Sequence, residues 1–166
     1  MDTLQAILTR RSIRRYTKEP VPQEIVQKLL EAGMSAPSAC DFQPWHLVVI
    51  SDHKILDEIP SFHNHASMLP GAPLAILVCG EPETSRYWQQ DCAAASQNIL
   101  LAAHSLGLGA VWLGLFPREN RVAPLKRLLN IPETVTPLAL IAIGYPDEQK
   151  SPQGKYKAEK VHYNGW

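Results

Sequence analysis

Apolar side chains recur along this chain at two spacings, and each spacing predicts a different element. Leu4, Ile7 and Leu8 fall three and four residues apart behind Asp2-Thr3-Leu4-Gln5, a capping-box arrangement that predicts a short helix ending near Arg10. Pro22 opens a second run, Ile25, Val26, Leu29 and Leu30, which predicts a helix to about Met34 closed by Ala36-Pro37-Ser38. His46–Ser51 is a short β-branched run that predicts a buried strand, followed by a polar helix reaching Ile59 and stopped by Pro60. Leu74–Gly80 predicts a second strand. From Asp91 to Leu106 the chain is apolar on nearly every helical face, as a central helix packed on several sides requires, and Gly107 and Gly109 end it. A strand over Ala110–Leu115, a helix over Glu119–Leu129 and a strand over Val135–Ile143, closed by Gly144-Tyr145-Pro146, complete the pattern. Strands and helices interleave without strict alternation. After Asp147 the chain turns polar, then ends in Val161-His162-Tyr163-Asn164-Gly165-Trp166, aromatic groups with no adjacent core segment to bury them; a partner subunit is the expected place.

Composition narrows the reading. A chain of 166 residues with 45% hydrophobic side chains buries one core, so a single domain over residues 1–166 is expected. The 16 Lys and Arg balance 16 Asp and Glu, which gives no broad basic field for nucleic acid and leaves any charged site local. The least polar stretch, Cys92–Phe116, is broken by polar groups and glycines, which argues against membrane insertion. The start of the chain carries neither a basic segment nor an apolar run, so a cytoplasmic location is expected. Cys40, Cys79 and Cys92 are odd in number and lack metal-ligand spacing, as reduced thiols do; Cys79 and Cys92 read as buried small hydrophobes.

Two segments could carry chemistry. Arg10-Arg11-Ser12-Ile13-Arg14-Arg15-Tyr16 concentrates four arginines and a hydroxyl; arginine forks bind phosphate oxygens in pairs, although a solvated basic turn has the same composition. Ala36-Pro37-Ser38-Ala39-Cys40-Asp41-Phe42-Gln43-Pro44-Trp45 is a loop stiffened by two prolines, in which Ser38 and Gln43 offer donors and acceptors suited to a heteroaromatic ring edge; Pro44-Trp45 could equally serve only to anchor the loop. His63-Asn64-His65 lacks a third metal ligand at a recognisable spacing and reads as a solvent-facing polar loop.

In this order and spacing the two segments resemble the nitroreductase family of flavoproteins, and the likeness continues through Asn64, Ala94–Gly114, Ile143-Gly144-Tyr145-Pro146 and Lys155-Tyr156-Lys157. It covers essentially the whole chain. The resemblance implies an α+β fold with a central, mainly antiparallel sheet flanked by helices, and a C-terminal segment exchanged with the partner of a homodimer. It implies an FMN cofactor whose phosphate meets Arg10, Lys155 and Lys157, with Arg11 and Ser12 nearby, and whose pyrimidine end meets Arg14. Leu113 and Gly114 would present backbone near the ring's N5, glycine permitting close approach. Pro37, Ser38 and Asn64 would come from the other subunit, with Ala39 and Gln43 in the same cofactor loop. The implied activity is ping-pong transfer from NADH or NADPH through FMN to a nitroaromatic, quinone or other electron-poor acceptor, with no side chain assigned as acid or base.

Two positions depart from the family's pattern. Asp41 stands where many relatives carry asparagine or arginine, which would place a carboxylate near the substrate face, and Leu113 replaces an acidic residue found in part of the family. The chain also lacks the long insertion of larger members. A specialised flavin enzyme acting on another metabolite, or a flavin-binding protein without efficient catalysis, are the alternatives; a domain that binds no flavin is the plainest one.

Overall fold

The computed structural model describes residues 1–166. Helix α1 spans Thr3–Thr9, with the Asp2 carboxylate accepting the Gln5 N–H at 2.9 Å, and α2 spans Gln23–Met34 behind Pro22. Strand β1 (Trp45–Ile50) leads into α3 (His53–Glu58), and Pro60 lies in a 3₁₀ turn, Ile59–Ser61, that continues from it. Strand β2 (Leu74–Gly80), α4 (Trp88–Ser105), β3 (Gly109–Gly114), α5 (Glu119–Leu129) and β4 (Thr136–Gly144) follow. These elements match the periodicity to within a residue or two, except that α4 begins three residues before Asp91, through Trp88, which is buried. Gly107 ends it with φ +81°, a conformation that costs glycine nothing.

The four strands form one sheet in the order β1-β2-β4-β3, every neighbouring pair antiparallel. Alternate residues of a strand face opposite sides, so β2 sends Leu74, Ile76 and Val78 into one core and Ala75, Leu77 and Cys79 into another. The first core lies against α2 and α4 through Val26, Leu29, Ala95 and Ile99; the second lies against α3 and α5 through Leu56, Val122 and Leu125. Helices on both faces explain why β2, and β4 beyond Thr136, are apolar. Cys79 and Cys92 are buried, and burial pushes both thiols up to about 12, which leaves them protonated and inert.

The edge strands position the site. Along β3 runs the Arg10–Tyr16 segment, in a parallel bridge of Ser12 with Ala110 and with Ile13 N–H donating to the Ala110 carbonyl at 3.0 Å. Ile13 is buried over Gly109, where a Cβ would come within 2.6 Å of it. Beyond it, Tyr16 O–H donates to the Ile13 carbonyl at 2.6 Å, and burial raises its pKa, keeping the hydroxyl a donor. At the other edge, β1 begins directly after the Pro37–Gln43 loop. No helix is long and apolar enough to cross a membrane.

Candidate cofactor site at the open edge of the sheet

Within the Arg10–Tyr16 segment Ile13 is buried while Arg14 and Arg15 are exposed. The segment's backbone is pinned from outside by a pair that the sequence pattern did not single out. Glu148 accepts the Arg14 N–H at 2.6 Å and the Lys150 ammonium at 2.9 Å, and Lys150 donates to the Ser12 carbonyl at 2.8 Å. These bonds hold the Glu148 carboxyl below the usual carboxylate range, the Arg14 N–H contributing most. The segment therefore keeps a defined shape against β3.

Arg14 lines a cavity of about 450 Å³ together with Asn64, Leu113 and Gly114, all of the same chain. Asn64, expected from the partner, thus lies beside Arg14 within one subunit: the turn after α3 folds back over the end of β3. Gly114 is exposed, lacks a positive φ, and would place an added Cβ where no heavy atom lies within 4 Å. Neither packing nor backbone conformation requires glycine there. Leu115 N–H bonds the Leu138 carbonyl of β4, so by strand alternation the Gly114 peptide groups face away from β4, onto the open edge. Leu113 takes the opposite orientation: its side chain is buried in the second core and its peptide groups face β4, which leaves Gly114 as the backbone donor of the pair.

The Gly114 carbonyl is fully engaged. Arg121 Nη1, from the first turn of α5, donates to it at 2.9 Å, and His63 Nε2 donates at 3.0 Å. His63 is 1% exposed rather than solvent-facing; its Nδ1 accepts the His65 N–H at 3.3 Å. Burial first, then the Arg121 charge, lowers the His63 pKa, so the ring is neutral with its proton on Nε2. Both residues sit in the wall of the Arg14 cavity; the sequence drew attention to His63 only as a weak metal candidate and to Arg121 not at all.

A second cavity, of about 480 Å³, lies at the start of the same segment between α1 and the tail. Arg10, Arg11 and Lys155 line it, and Arg11 also donates to the Ser151 carbonyl. Lys157 and Ser12 are outside that lining: Lys157 is exposed beyond it, and Ser12 is taken up in the bridge to Ala110. Arg10 and Arg14 are four residues apart, at most about 14 Å along the backbone.

The Pro37–Gln43 loop belongs to neither cavity. It stands by β1, three strand spacings from β3, roughly 14 Å across the sheet. Asp91 of α4 holds it: this buried carboxylate accepts the Ala39 N–H at 3.0 Å and the Ser85 hydroxyl at 2.8 Å. Ser38 Oγ accepts the Gln43 N–H, and the Gln43 side-chain amide donates to Asp41 at 2.8 Å. Cys40, Asp41 and Gln43 all take positive φ, a concentration of left-handed backbone that a plain connecting loop does not need. The tail from Ser151 to Trp166 is exposed throughout, Trp166 completely, and α1 leaves Leu4, Ile7 and Leu8 open to solvent.

The family profile described as "Nitroreductase family" matches residues 7–67 and 62–145. A protein of Methanothermobacter thermautotrophicus named "Putative NADH dehydrogenase/NAD(P)H nitroreductase" is 47% identical over 169 residues, covering 100% of this chain and 88% of that one. A crystal structure under the same name from Bacteroides thetaiotaomicron superimposes with TM-score 0.97 at 44% identity, over 99% of this chain and 98% of the other. A Desulfovibrio desulfuricans structure solved in complex with FMN matches with TM-score 0.88 at 38% identity, over 100% and 98% of the two chains. With its antiparallel sheet, its arginine segment on the β3 edge and a profile match across most of its length, the chain belongs to the nitroreductase family.

Proposed function

We propose that this protein is an FMN-dependent oxidoreductase that takes electrons from NADH or NADPH and passes them to a nitroaromatic, a quinone or a similar electron-poor acceptor, the two substrates using one site in turn. Gly114 carries the reading. It is a glycine with no structural reason to be one, on an open strand edge, beside Arg14 and Asn64. A flat ring lying against that edge would supply the reason. The relatives point the same way: one is named for NAD(P)H and another was solved with FMN.

When bound, FMN supplies the two-electron redox chemistry. Arg10, Arg11 and Lys155 hold its phosphate by charge-assisted hydrogen bonds, with Lys157 and Ser12 in supporting positions. Arg14 and Asn64 hold the pyrimidine end, where positive charge favours the electron-rich reduced form. The Gly114 N–H, which by strand alternation faces away from β4 onto the open edge, would donate toward the ring's central edge. Pro37, Ser38, Ala39 and Gln43 complete the site from the partner subunit. Within one chain that loop stands across the width of the sheet from Arg14, which supports a flavin held between two chains. The exposed tail and the apolar face of α1 give the homodimer something to bury, the tail crossing onto the partner.

The test is direct. Purified protein mixed with FMN should show a perturbed flavin absorption spectrum, bind riboflavin far more weakly, sediment as a dimer, and bleach with NADH or NADPH before recovering on addition of a quinone. Protein that stays colourless and ignores FMN would refute the reading. A flavin that binds but reduces slowly with both dinucleotides would instead indicate a specialised enzyme or a flavin carrier.

A further inference from the structure

Arg121 stands out on grounds that the proposed function does not use. It is only 8% exposed, yet no carboxylate lies within ion-pairing distance of it: the ion pairs of the chain involve Arg15, His46, Lys126 and Lys150. Its one side-chain hydrogen bond runs from Nη1 to the Gly114 carbonyl. No side-chain nitrogen in the protein is both fully buried and unbonded, so the guanidinium nitrogens without a partner are not fully buried, and the cavity is the opening that Arg121 lines. That cavity has no aspartate or glutamate in its wall. Arg14 adds a second positive charge, and His63 beside it is neutral. Buried charges are ordinarily paired, because desolvation is otherwise uncompensated. A guanidinium left without a counter-ion in a cavity wall expects one from outside the chain.

We propose that Arg121 is an anion-binding residue of the β3-edge cavity, whose free guanidinium edge receives a flat, delocalised anionic group of the bound small molecules. The fork geometry favours two coplanar acceptor atoms, and the half-buried Trp112 in the same wall favours an aromatic frame around them. Two groups carry that chemistry: an aromatic carboxylate on the acceptor substrate, and the electron-rich pyrimidine edge of the reduced flavin. The inference rests on the flavin site proposed above and sharpens it. It predicts either a preference for carboxylated aromatics or a flavin whose reduced form is held by Arg121 in addition to Arg14.

The experiment compares wild type, Arg121→Gln and Arg121→Lys, each reconstituted with FMN. Wild type that fails to bind FMN would overturn the proposed function, separately from anything Arg121 does. In flavin-loaded proteins, the midpoint potential and the dissociation constants of benzoate and of neutral benzamide are measured, the latter two from the flavin difference spectrum. If the flavin is the anion, Arg121→Gln loosens reduced relative to oxidised FMN about tenfold, a fall of about 30 mV for a two-electron couple, and benzoate is unaffected. If the substrate is the anion, benzoate binding weakens at least tenfold, benzamide is unchanged and the potential stays put. Arg121→Lys, which keeps the charge but loses the fork, falls between. An unchanged potential together with unchanged benzoate binding would overturn the proposal and leave Arg121 as a clamp on Gly114. Should neither variant hold flavin, wild type decides: benzoate binding that is no tighter than benzamide, and a potential insensitive to ionic strength, would overturn it equally.

Discussion

Replacing Gly114 with alanine separates the demands of folding from those of the ligand, because the two predict opposite signs. In the chain alone the added methyl meets no heavy atom within 4 Å, and the residue is not among those with positive φ. Alanine then narrows the unfolded ensemble at no native cost, which stabilises by about 0.4–1 kcal/mol. For a chain of this size that is a rise of roughly 1–4 °C in Tm. With FMN the same methyl occupies the space through which the strand edge meets the ring. Overpacking of this kind costs about 1–3 kcal/mol, or roughly 5- to 150-fold in Kd. The assay is thermal unfolding of flavin-free protein alongside fluorescence titration with FMN. A variant that folds at least as well as wild type and binds FMN equally tightly would remove Gly114 from the site. One that is destabilised without flavin would show that the glycine serves the fold after all.

Other perturbations test the remaining parts. Arg10→Ala should weaken FMN by about 1–3 kcal/mol, the worth of a charge-assisted bond to phosphate, while leaving riboflavin unchanged; equal losses for both ligands in titration would place the phosphate elsewhere. Asp91→Ala strips acceptors from the Ala39 N–H and the buried Ser85 hydroxyl, so it should lower stability by about 1–3 kcal/mol and weaken FMN through the loop that Asp91 holds, as urea melts and titration would show. Acidification should weaken the site in two stages. Both His63 and Glu148 have folded pKa values lowered from 6.5 and 4.5, so their contributions are complete above those values and are lost as pH falls through the lower folded ones, His63 first; a urea midpoint flat from pH 8 down to 4 would refute this. Deleting Lys160–Trp166 should reduce dimer and FMN affinity together, and a monomer with full affinity in sedimentation and titration would separate them.

Much of this protein was legible before any fold was known, because its signals are local. Helical and strand periods are properties of neighbouring residues, so Gln23–Met34, Trp45–Ile50 and Glu119–Leu129 fall within a residue or so of where Pro22, the β-branched run and the 3.6-residue spacing put them. The arginine segment and the Pro37–Gln43 loop were visible as composition. What the pattern could not supply was which of these meet. Sheet order sets the Ser38 loop and Arg14 at opposite edges, and the fold brings Asn64 of the same chain to the cavity that Arg14 lines. The groups that hold the site in shape were silent for the same reason. Asp91 reaches across 52 residues to Ala39, Glu148 across 134 to Arg14, and His63 across 51 to Gly114. An aspartate in a helix or a glutamate after a strand carries no mark of such a partner. A hydrogen bond between distant residues depends on how the strands are ordered, and that order is settled by the burial of two cores at once, which no single stretch of the chain encodes.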